Sequence, residues 1–382
     1  MRVPGTGPNE AAAAAPLDDQ FTIGVEEEYQ LIDPATRSLR PQGELILAAM
    51  GGEQGVDAQA ELHTSQLEAA TPVGRTLADV RAEIVRQRHK VLDAAAEQGL
   101  RVAAAGTHPF SHWRDQTITP TKRYLAIERA FQHIARESVY FGYHVHVGIR
   151  DPDAAVLTMS RTRRWLPPLI ALSASSPFWL GADTGYASFR TELARRWPTA
   201  GTQEHFGSRA EYDEVVAALT SAGIIEDATR IYWDVRPSPH APTVEIRAMD
   251  VCSTVDEAVM IGALARALAH TCWREVATGH PDPHVRSELL LAAKWRAARS
   301  GISSTLVDLD TACTVPARAV VDQFLAFVRE SLEERDEWEE VAVLVEQAMA
   351  RGTGADRQRR VFARTGSFDN VVDHVVAETA AH

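Results

Sequence analysis

The sequence contains little cysteine, no run of basic residues and no long apolar segment, and each shortage excludes a class of protein. Only three of the 382 residues are cysteines, Cys252, Cys272 and Cys313, and none has a CxxC partner. Neither a disulfide framework nor a zinc knuckle is indicated, and a reducing cytoplasm is the expected location. A formal charge of −13 without a Lys/Arg run argues against nucleic-acid binding. No segment approaches the roughly 20 apolar residues of a membrane helix, so no membrane association is expected.

Two common catalytic loops are also missing. The chain has no Walker-type glycine loop and no serine nucleophile elbow. GTGAD at residues 352–356 contains glycines but lacks the lysine and the spacing of a P-loop, so we interpret it as a turn between helices. If a nucleotide binds, metal ions and arginines would have to hold its phosphates.

Composition predicts a globular protein with one folded unit. Apolar residues make up 45% of the chain and charged residues 24%, which are ordinary values. Residues 1–19 are rich in Gly, Pro and Ala and have no basic region ahead of an apolar stretch, so we interpret them as a flexible leader rather than a signal peptide. No repeat or strong linker divides the remainder. Residues 20–382 are therefore predicted to form one α+β domain.

The most informative pattern is an alternation of apolar residues with carboxylates, imidazoles and a guanidinium group. It occurs in three segments: FTIGVEEEYQ from Phe21, VYFGYHVHVGI from Val139 and TVEIRAMD from Thr243. Side chains alternate sides along a strand, so each segment has one apolar and one polar face. The polar faces carry Glu26 and Glu28, His144 and His146, and Glu245 with Arg247. Glu27 is the odd charge among apolar neighbours. The strands predict a sheet that packs its apolar face on helices and exposes metal-ligand residue types on the other.

The remaining elements follow from hydrophobic periodicity and turn residues. We predict helices at 76–99 and 122–137, a largely apolar helix at 165–179 interrupted by two prolines, helices at 254–277 and 286–300, two more between 316 and 350, and a short C-terminal one. RVAAAG, from Arg101, is predicted to be a strand, and IYWDVRP, from Ile231, to form a hairpin with TVEIRAMD. The polar segment 181–209 is predicted to be a long functional or mobile loop.

Glutamates dominate the polar side chains. Two residues apart on one strand, Glu26 and Glu28 have Cα atoms roughly 6.5–7 Å apart, so they can bind different ions of a two-metal site, whose ions lie about 3.5–4 Å apart. Glu61, Glu68 and Glu245 are further candidate ligands. An isolated glutamate such as Glu61 is more often a surface residue, whereas Glu245 lies in a strand between apolar neighbours.

Histidines and arginines complete the candidate set. His144 and His146 share one face, and an HxH pair alone would suggest zinc. Because four or five glutamates and no cysteine accompany the pair, the balance favours magnesium with phosphates. Guanidinium groups suit phosphate oxygens and substrate carboxylates; Arg236 and Arg247 lie on the polar faces, and arginines 190, 195 and 196 lie in the predicted loop. The residues alone leave zinc or magnesium, and hydrolysis or transfer, undecided.

At this point the motifs resemble a known family. They are GVEEE at 24–28, ELHTSQLEAATP at 61–72, GTHPF at 106–110, GYHVHVG at 142–148, WDVRP at 233–237 and TVEIRAMD at 243–250. In this order they are similar to the glutamate-cysteine ligase type 2 family of carboxylate-amine ligases, from about Phe21 to near the end of the chain. The resemblance implies a glutamine synthetase-like fold, with a curved, largely antiparallel sheet backed by helices.

The resemblance also implies roles for individual residues. It makes Glu26 and Glu28 paired metal ligands, Glu61 and Glu68 a second acidic pair, His144 a metal ligand, His146 a nucleotide-phosphate ligand, Glu245 a further metal ligand, and Arg236 and Arg247 catalytic, with Arg247 also binding nucleotide. The motif order implies a two- or three-metal ATP site. Glu61 and Glu68 are seven residues apart and so opposite in strand parity, and a bulge or separate strands must bring both inward.

The reaction implied by the resemblance depends on ATP and Mg2+, uses small-molecule substrates and takes place in a homodimer. ATP phosphorylates a carboxylate, such as the γ-carboxylate of L-glutamate, and an amine such as that of L-cysteine displaces phosphate from the acyl phosphate. Two alternatives stay open. One is a phosphotransferase to a guanidino group, because guanidino kinases share this catalytic fold, and the other is a non-catalytic nucleotide- or metal-binding relic. The choice of amine depends on loop residues that the motifs do not place.

Overall fold

The computed structural model describes residues 20–51, 58–283 and 285–381. The predicted leader lies outside these residues. In chain order the strands are β1 (Ile23–Ile32), β2 (Ala58–Ala60), β3 (Gln66–Ala70), β4 (Arg101–Ala103), β5 (Gly142–Gly148), β6 (Phe178–Trp179), β7 (Ala182–Asp183), β8 (Ala200–Gly201), β9 (Tyr232–Trp233), β10 (Val235–Pro237), β11 (Thr243–Asp250), β12 (Thr305–Asp308) and β13 (Cys313–Pro316).

The α-helices surround these strands and dominate the C-terminal third. They are α1 (Gly43–Ala49), α2 (Leu77–Glu97), α3 (Lys122–Phe131), α4 (His133–Glu137), α5 (Pro152–Thr162), α6 (Leu166–Ser173), α7 (Phe189–Ala194), α8 (Arg209–Ser221), α9 (Val255–Ala277), α10 (Ser287–Ser300), α11 (Ala317–Glu333), α12 (Trp338–Arg351), α13 (Gly354–Thr365) and α14 (Phe368–Ala380). None of them, within the described ranges, is long and apolar enough to cross a membrane.

The main sheet is antiparallel and has the strand order β10–β11–β5–β1–β3–β2, with β4 paired to the C-terminal half of β1. In its register Glu26 lies opposite His144, and Glu28 lies opposite Glu68. Directly opposed residues of antiparallel strands point to the same face. The register therefore gathers side chains from β1, β3 and β5 on one face of the sheet.

The other face of the sheet packs on helices, as its apolar residues predict. Ile23 and Val25 of β1 are buried, and they face α9 at Gly262, where an added Cβ would lie 3.4 and 3.7 Å from their side chains. Tyr143 Oη donates a hydrogen bond to the Ala258 carbonyl of the same helix at 2.8 Å. Each buried aliphatic side chain contributes about 1.5–3 kcal/mol to stability. This packing fixes the sheet and thereby the residues on its opposite face.

Hydrogen-bonded caps start the helices near the predicted positions. Thr76 and Asp79 form a capping box at the start of α2, and Thr254 and Glu257 form one at the start of α9. Such caps satisfy backbone N–H groups that have no partner within the helix. In the predicted turn at 352–356 only Gly352 and Thr353 lie outside a helix. Thr353 caps α13, and the other three residues form the first turn of that helix. The interpretation as a turn is therefore correct at Gly352 and Thr353 and wrong beyond them.

Several predicted boundaries are wrong. Pro167 and Pro168 do not interrupt a helix but lie in the first turn of α6, where the missing N–H costs nothing, and α6 ends at Ser173. The predicted helix at 122–137 divides into α3 and α4 at Gln132, whose φ is 50°. The C-terminal region after α12 forms two helices rather than one.

The hairpin and the long loop are predicted in part. β10 pairs with β11 as predicted, but β9 leaves the hairpin and pairs in parallel with β8. Segment 181–209 is not a bare loop, since it contains β7, α7 and β8. The predicted fold class, an α+β protein with a largely antiparallel sheet backed by helices, is confirmed. The division into a leader and one domain stays a prediction.

Candidate active site

The polar face of the main sheet lines a cavity of about 610 Å³. Every site residue predicted from the sequence lies along it: Glu26, Glu28, Glu61, Glu68, His144, His146, Arg236, Glu245 and Arg247. The alternation within the strands and the register between them account for this convergence except at Glu61, which lies after β2, because a strand places every second side chain on the same face. The individual roles of these residues stay predictions.

Glu26 lies between the two histidines. His144 Nδ1 is 2.9 Å from Glu26 Oε2, and His146 Nε2 is 3.2 Å from Glu26 Oε1. Burial raises the pKa of Glu26, but its hydrogen-bonded contacts with the two histidines outweigh this effect and lower the pKa well below its usual range. Burial and the charge of Arg247 lower the pKa of His144 to about 3. At neutral pH Glu26 is therefore ionised and His144 is neutral, as metal ligands must be.

Glu28 and Glu68 are opposed across β1 and β3. The backbone N–H of Gly142 donates to Glu28 Oε2 at 2.5 Å. Burial and the charge of Glu61 raise the pKa of Glu28 to about 7, and burial followed by the charges of Glu26, Glu61 and Glu28 raises the pKa of Glu68 well above its usual range. The two carboxylates are crowded, and burial with mutual repulsion outweighs the charges of Arg190 and Arg247 near Glu28. A cation placed among them would stabilise their ionised forms.

Two groups of three side chains have the composition of cation sites. Their ligand atoms lie within 4.8 Å of one another, and the groups are Glu26, His144 and Glu245, and Glu28, Glu68 and His144. Four carboxylates and one imidazole form an oxygen-rich donor set, which suits Mg2+ better than zinc. The residues therefore fit the divalent cation that the family resemblance implies.

Glu61 reaches the cavity from a different element than Glu68. It lies immediately after β2, whereas Glu68 lies in β3, so the two come from separate segments of the sheet. This is one of the two explanations predicted for how residues of opposite strand parity reach the same cavity. Tyr124 Oη donates to Glu61 Oε2 at 3.1 Å, and Glu61 is half-buried. Burial raises its pKa. Glu61 is therefore not the ordinary surface residue that an isolated glutamate suggests.

Glu245 is held by two arginines. Arg236 donates from Nε to Oε2 at 2.7 Å and from Nη2 to Oε1 at 3.3 Å, while Arg247 Nη1 pairs with Oε1. Burial lowers the pKa of Arg236, and burial together with the charge of Arg236 lowers the pKa of Arg247 to about 10, so both stay charged at neutral pH. The carboxylates of Glu245 and the nearby Glu26 together offset the two guanidinium charges. The guanidinium groups would still offer hydrogen bonds to phosphate oxygens there.

The sequence prediction missed a buried ion pair in the cavity wall. Lys294 of α10 donates to both carboxylate oxygens of Asp234, at 2.6 and 2.5 Å, and both side chains are buried. The Asp234 carbonyl accepts the Arg247 N–H at 2.7 Å, so the pair also supports β11. Lys294 belongs to no motif. The available signal was Asp234 itself, which the predicted strand IYWDVRP places on the polar face with Arg236, because a buried carboxylate requires a partner.

The fold matches that of a solved ligase structure. A crystal structure of a glutamate-cysteine ligase from Francisella tularensis, in complex with AMP, matches this structure with a TM-score of 0.69 over 95% of this chain and 89% of that chain, at 11% sequence identity. At that identity the match establishes the fold alone. The fold is therefore that of a glutamate-cysteine ligase.

Sequence comparison establishes the family. The model of glutamate-cysteine ligase family 2 matches residues 22–374, so the chain belongs to this family, and the predicted resemblance is confirmed. A Frankia alni relative, provisionally named glutamate-cysteine ligase 2-2, is 45% identical over 372 residues, which cover 94% of this chain and 97% of that one. A Frankia casuarinae relative with the same provisional name is 43% identical over 357 residues, and the chain spans 41% of its length. Membership places the chain among ATP-dependent carboxylate-amine ligases.

Proposed function

We propose that the protein activates the γ-carboxylate of L-glutamate as an acyl phosphate and joins it to the amine of L-cysteine, with release of ADP and phosphate. The observation that carries this proposal is the single sheet face on which Glu26, Glu28, Glu68 and Glu245 surround His144. The provisional names of the relatives support glutamate and cysteine as substrates, and the AMP in the Francisella ligase supports an adenine nucleotide.

The cavity offers the groups that phosphoryl transfer requires. Its glutamates and His144 would hold Mg2+, which when bound offsets the repulsion between the phosphates of ATP and the substrate carboxylate. Arg236 and Arg247 would stabilise the transferring phosphoryl group, and His146 would contact a nucleotide phosphate. This arrangement is consistent with the missing Walker loop, because carboxylate-bound cations and arginines would take the place of its backbone N–H groups and lysine.

Activation is needed because a free carboxylate is a poor electrophile, whose leaving group would be an oxide. In the first step a carboxylate oxygen attacks the γ-phosphorus of ATP, an O–P bond forms and the bond to ADP breaks. In the second step the amine nitrogen attacks the acyl carbon, the bond to phosphate breaks and the nitrogen loses a proton.

The test uses the purified full-length protein with ATP, MgCl2, L-glutamate and L-cysteine. We expect ADP and γ-glutamylcysteine by mass spectrometry, and L-glutamate labelled with 18O in its γ-carboxylate should pass one labelled oxygen to the released phosphate. Hydroxylamine in place of cysteine should trap the acyl phosphate as a hydroxamate.

Other outcomes separate the alternatives. Absence of ADP with glutamate and cysteine, and with a panel of other amino acids and amines, would overturn the ligase proposal. A stable phosphorylated product without an amide would identify a phosphotransferase instead. Tight ATP binding without turnover would favour the binding relic. The homodimer and the cytoplasmic location stay predictions, and sedimentation analysis would measure the first.

A further inference from the structure

Asp234 lies at the point where the chain passes from one strand pair to another. Its N–H donates to the Gly201 carbonyl of β8 at 2.9 Å, whereas its own carbonyl accepts the N–H of Arg247 in β11 at 2.7 Å. β9, which pairs with β8, ends directly before Asp234, and β10, which pairs with β11, begins directly after it. A displacement of Asp234 would therefore be transmitted to the backbone of Arg247.

Arg247 lies at an irregular point of its strand. The pairing of β11 with β5 shifts by one residue here, so that Arg247 and Ala248 together lie opposite the single residue His144. Such a bulge disrupts the local ladder and turns a side chain in a new direction. Because the β5 side is irregular, the hydrogen bond to the Asp234 carbonyl on the β10 side is an important constraint on the Arg247 backbone.

The Arg247 side chain lines the cavity among the predicted cation ligands. Its Nη1 pairs with Glu245 and lies 3.5 Å from His144 Nδ1. A guanidinium group stabilises a transferring phosphoryl group only when its N–H groups point at the oxygens on which charge develops. A small shift of the backbone that carries Arg247 would therefore slow the chemical step.

The Asp234 carboxylate is held by two donors from different parts of the chain. Lys294 of α10 donates to Oδ1 and Oδ2 at 2.6 and 2.5 Å, and Thr202 Oγ1 donates to Oδ2 at 2.7 Å. Asp234 and Lys294 are only 7% and 4% exposed, so water screens their attraction little. The Asp234 carbonyl, which accepts the Arg247 N–H, is thus anchored to α10 and to the segment after β8.

We propose that Asp234 and Lys294 are positioning residues of the phosphoryl-transfer step. The ion pair fixes the Asp234 carbonyl, and this carbonyl fixes the backbone of Arg247 so that its guanidinium group points at the transferring phosphoryl group. Lys294 lines the cavity, but its charge is already balanced by Asp234, so it acts through Arg247 rather than on a substrate anion. The proposal rests on the proposed ligase function and adds to it a lysine that lies outside all six motifs.

The test separates kcat from KM. Lys294→Met should lower kcat for ADP formation roughly 10- to 100-fold, with KM for L-glutamate and for ATP changed less than about threefold. Lys294→Arg keeps a positive charge beside Asp234 and should recover part of kcat. In the Arg247→Lys background, where the guanidinium group is already lost, Lys294→Met should lower kcat by less than about threefold further, because effects of residues that act through one another do not add.

Arg266→Met is the matched control. Arg266 of α9 forms a buried ion pair with Glu337, and neither residue lines the cavity. This variant should be less stable in urea, because it leaves a buried carboxylate without a partner, and its kcat should stay within about threefold of the wild-type value. Disruption of a buried ion pair as such would then not account for the loss of kcat in Lys294→Met.

Three kinetic results would overturn the proposal. The first is an unchanged kcat in Lys294→Met. The second is an equal loss of kcat in the wild-type and Arg247→Lys backgrounds, since the pair would then not act through Arg247. The third is a higher KM for L-glutamate or ATP without a loss of kcat, because Lys294 would then bind the substrate itself. If Lys294→Met does not fold, the same comparisons are made with Asp234→Asn/Lys294→Met, which removes both buried charges.

Calorimetry with MgADP and aluminium fluoride, a mimic of the transferring phosphoryl group, gives a readout without turnover. Lys294→Met should bind this mimic more weakly than the wild type and bind MgADP alone equally well. If the wild type forms no ADP, the proposed function fails, and this comparison still decides. Equal binding of the mimic by the two proteins, or no binding of it by the wild type, would overturn the positioning role.

Discussion

Arg88 and Glu27 form a fully buried, two-pronged ion pair beneath the sheet. Arg88 Nη2 donates to Glu27 Oε1 at 2.5 Å and Nε donates to Oε2 at 3.2 Å, while Tyr29 Oη donates to the same carboxylate at 2.6 Å. Arg88 also donates to the carbonyls of Cys252 and Ser253, just before α9. The odd charge of the first strand therefore ties β1 to α2 and α9 and has no contact with the cavity.

This separation predicts opposite effects for adjacent glutamates. Glu27→Gln should lower the free energy of unfolding by about 3–5 kcal/mol, because Arg88 would remain buried without a counter-charge. Glu26→Gln, on the other face, should lower kcat/KM for ADP formation at least 100-fold with a far smaller effect on stability. Urea unfolding and an ADP assay on both variants test the division. Comparable stability losses in the two variants would contradict it.

The crowding of Glu28 and Glu68 predicts a stability response to magnesium. Without divalent cations Glu68→Gln should be at least as stable as the wild type, because it removes one of several mutually repelling carboxylates. Added MgCl2 at about 100 times its dissociation constant should stabilise the wild type by about 2.7 kcal/mol and Glu68→Gln by much less. Thermal unfolding in EDTA and in MgCl2 measures both effects.

Glu346→Gln provides the control for that experiment, because Glu346 lies on α12, does not line the cavity and pairs with Arg318 at the surface. It should respond to magnesium as the wild type does. A magnesium shift of the same size in Glu68→Gln would exclude this carboxylate as a cation ligand.

Buried neutral histidines predict a loss of stability in mild acid. Burial lowers the pKa of His108 from 6.5 to about 4. Its Nδ1 accepts the Ser111 N–H at 2.9 Å, and Nε2 lies 2.8 Å from the Arg37 carbonyl, which fits a neutral ring. His108 binds a proton near pH 6.5 in the unfolded chain and near pH 4 in the folded chain. The stability that comes from the neutral, buried His108 is therefore fully present above pH 6.5 and is lost as the pH falls towards 4.

The slope is about 1.4 kcal/mol per pH unit for each such histidine. His108→Asn, which keeps an acceptor near Nδ1, should be less stable at pH 8, with a shallower decline between pH 6 and 4.5. Above pH 7.5 the two curves should run parallel. Urea titrations at several pH values provide the measurement, and identical slopes below pH 6 would contradict the assignment.

Alternation made much of the site predictable, because the side-chain period of a strand is a local property of the sequence. Glu26, Glu28, His144, His146 and Glu245 were placed on one face by that rule, and the structure brings them together. The prolines of α6 were predicted to interrupt a helix, but they lie in its first turn. The sequence does not show where the helix begins, and only that position decides whether Pro starts a helix or breaks it. The predicted hairpin strand IYWDVRP was too long, because its first part, β9, pairs in parallel with β8 instead. The alternation pattern of the hairpin gives no sign of this distant partner.

Residues brought in by tertiary packing were harder to predict. Lys294 comes from a helix with no motif, and only the three-dimensional structure brings it to Asp234. Arg190 was one of three loop arginines that sequence could not rank; the structure distinguishes it by burial, whereas Arg195 and Arg196 are exposed and paired with glutamates. Whether an arginine is buried or exposed depends on the side chains packed around it, and the spacing of residues in the sequence does not reveal them.

His144 is common to both groups of candidate cation ligands, with Nδ1 turned towards Glu26 and Nε2 lying 3.7 Å from Glu28. A neutral imidazole has one nitrogen with a free lone pair, and the other carries a proton. The ring can therefore coordinate on one side only at any moment. A cation at the position that lacks the ring would need a further ligand, such as an oxygen of Glu61 or of a nucleotide phosphate. Where a phosphate supplies it, the second cation arrives as part of the nucleotide complex, so that cation and nucleotide affinities are coupled.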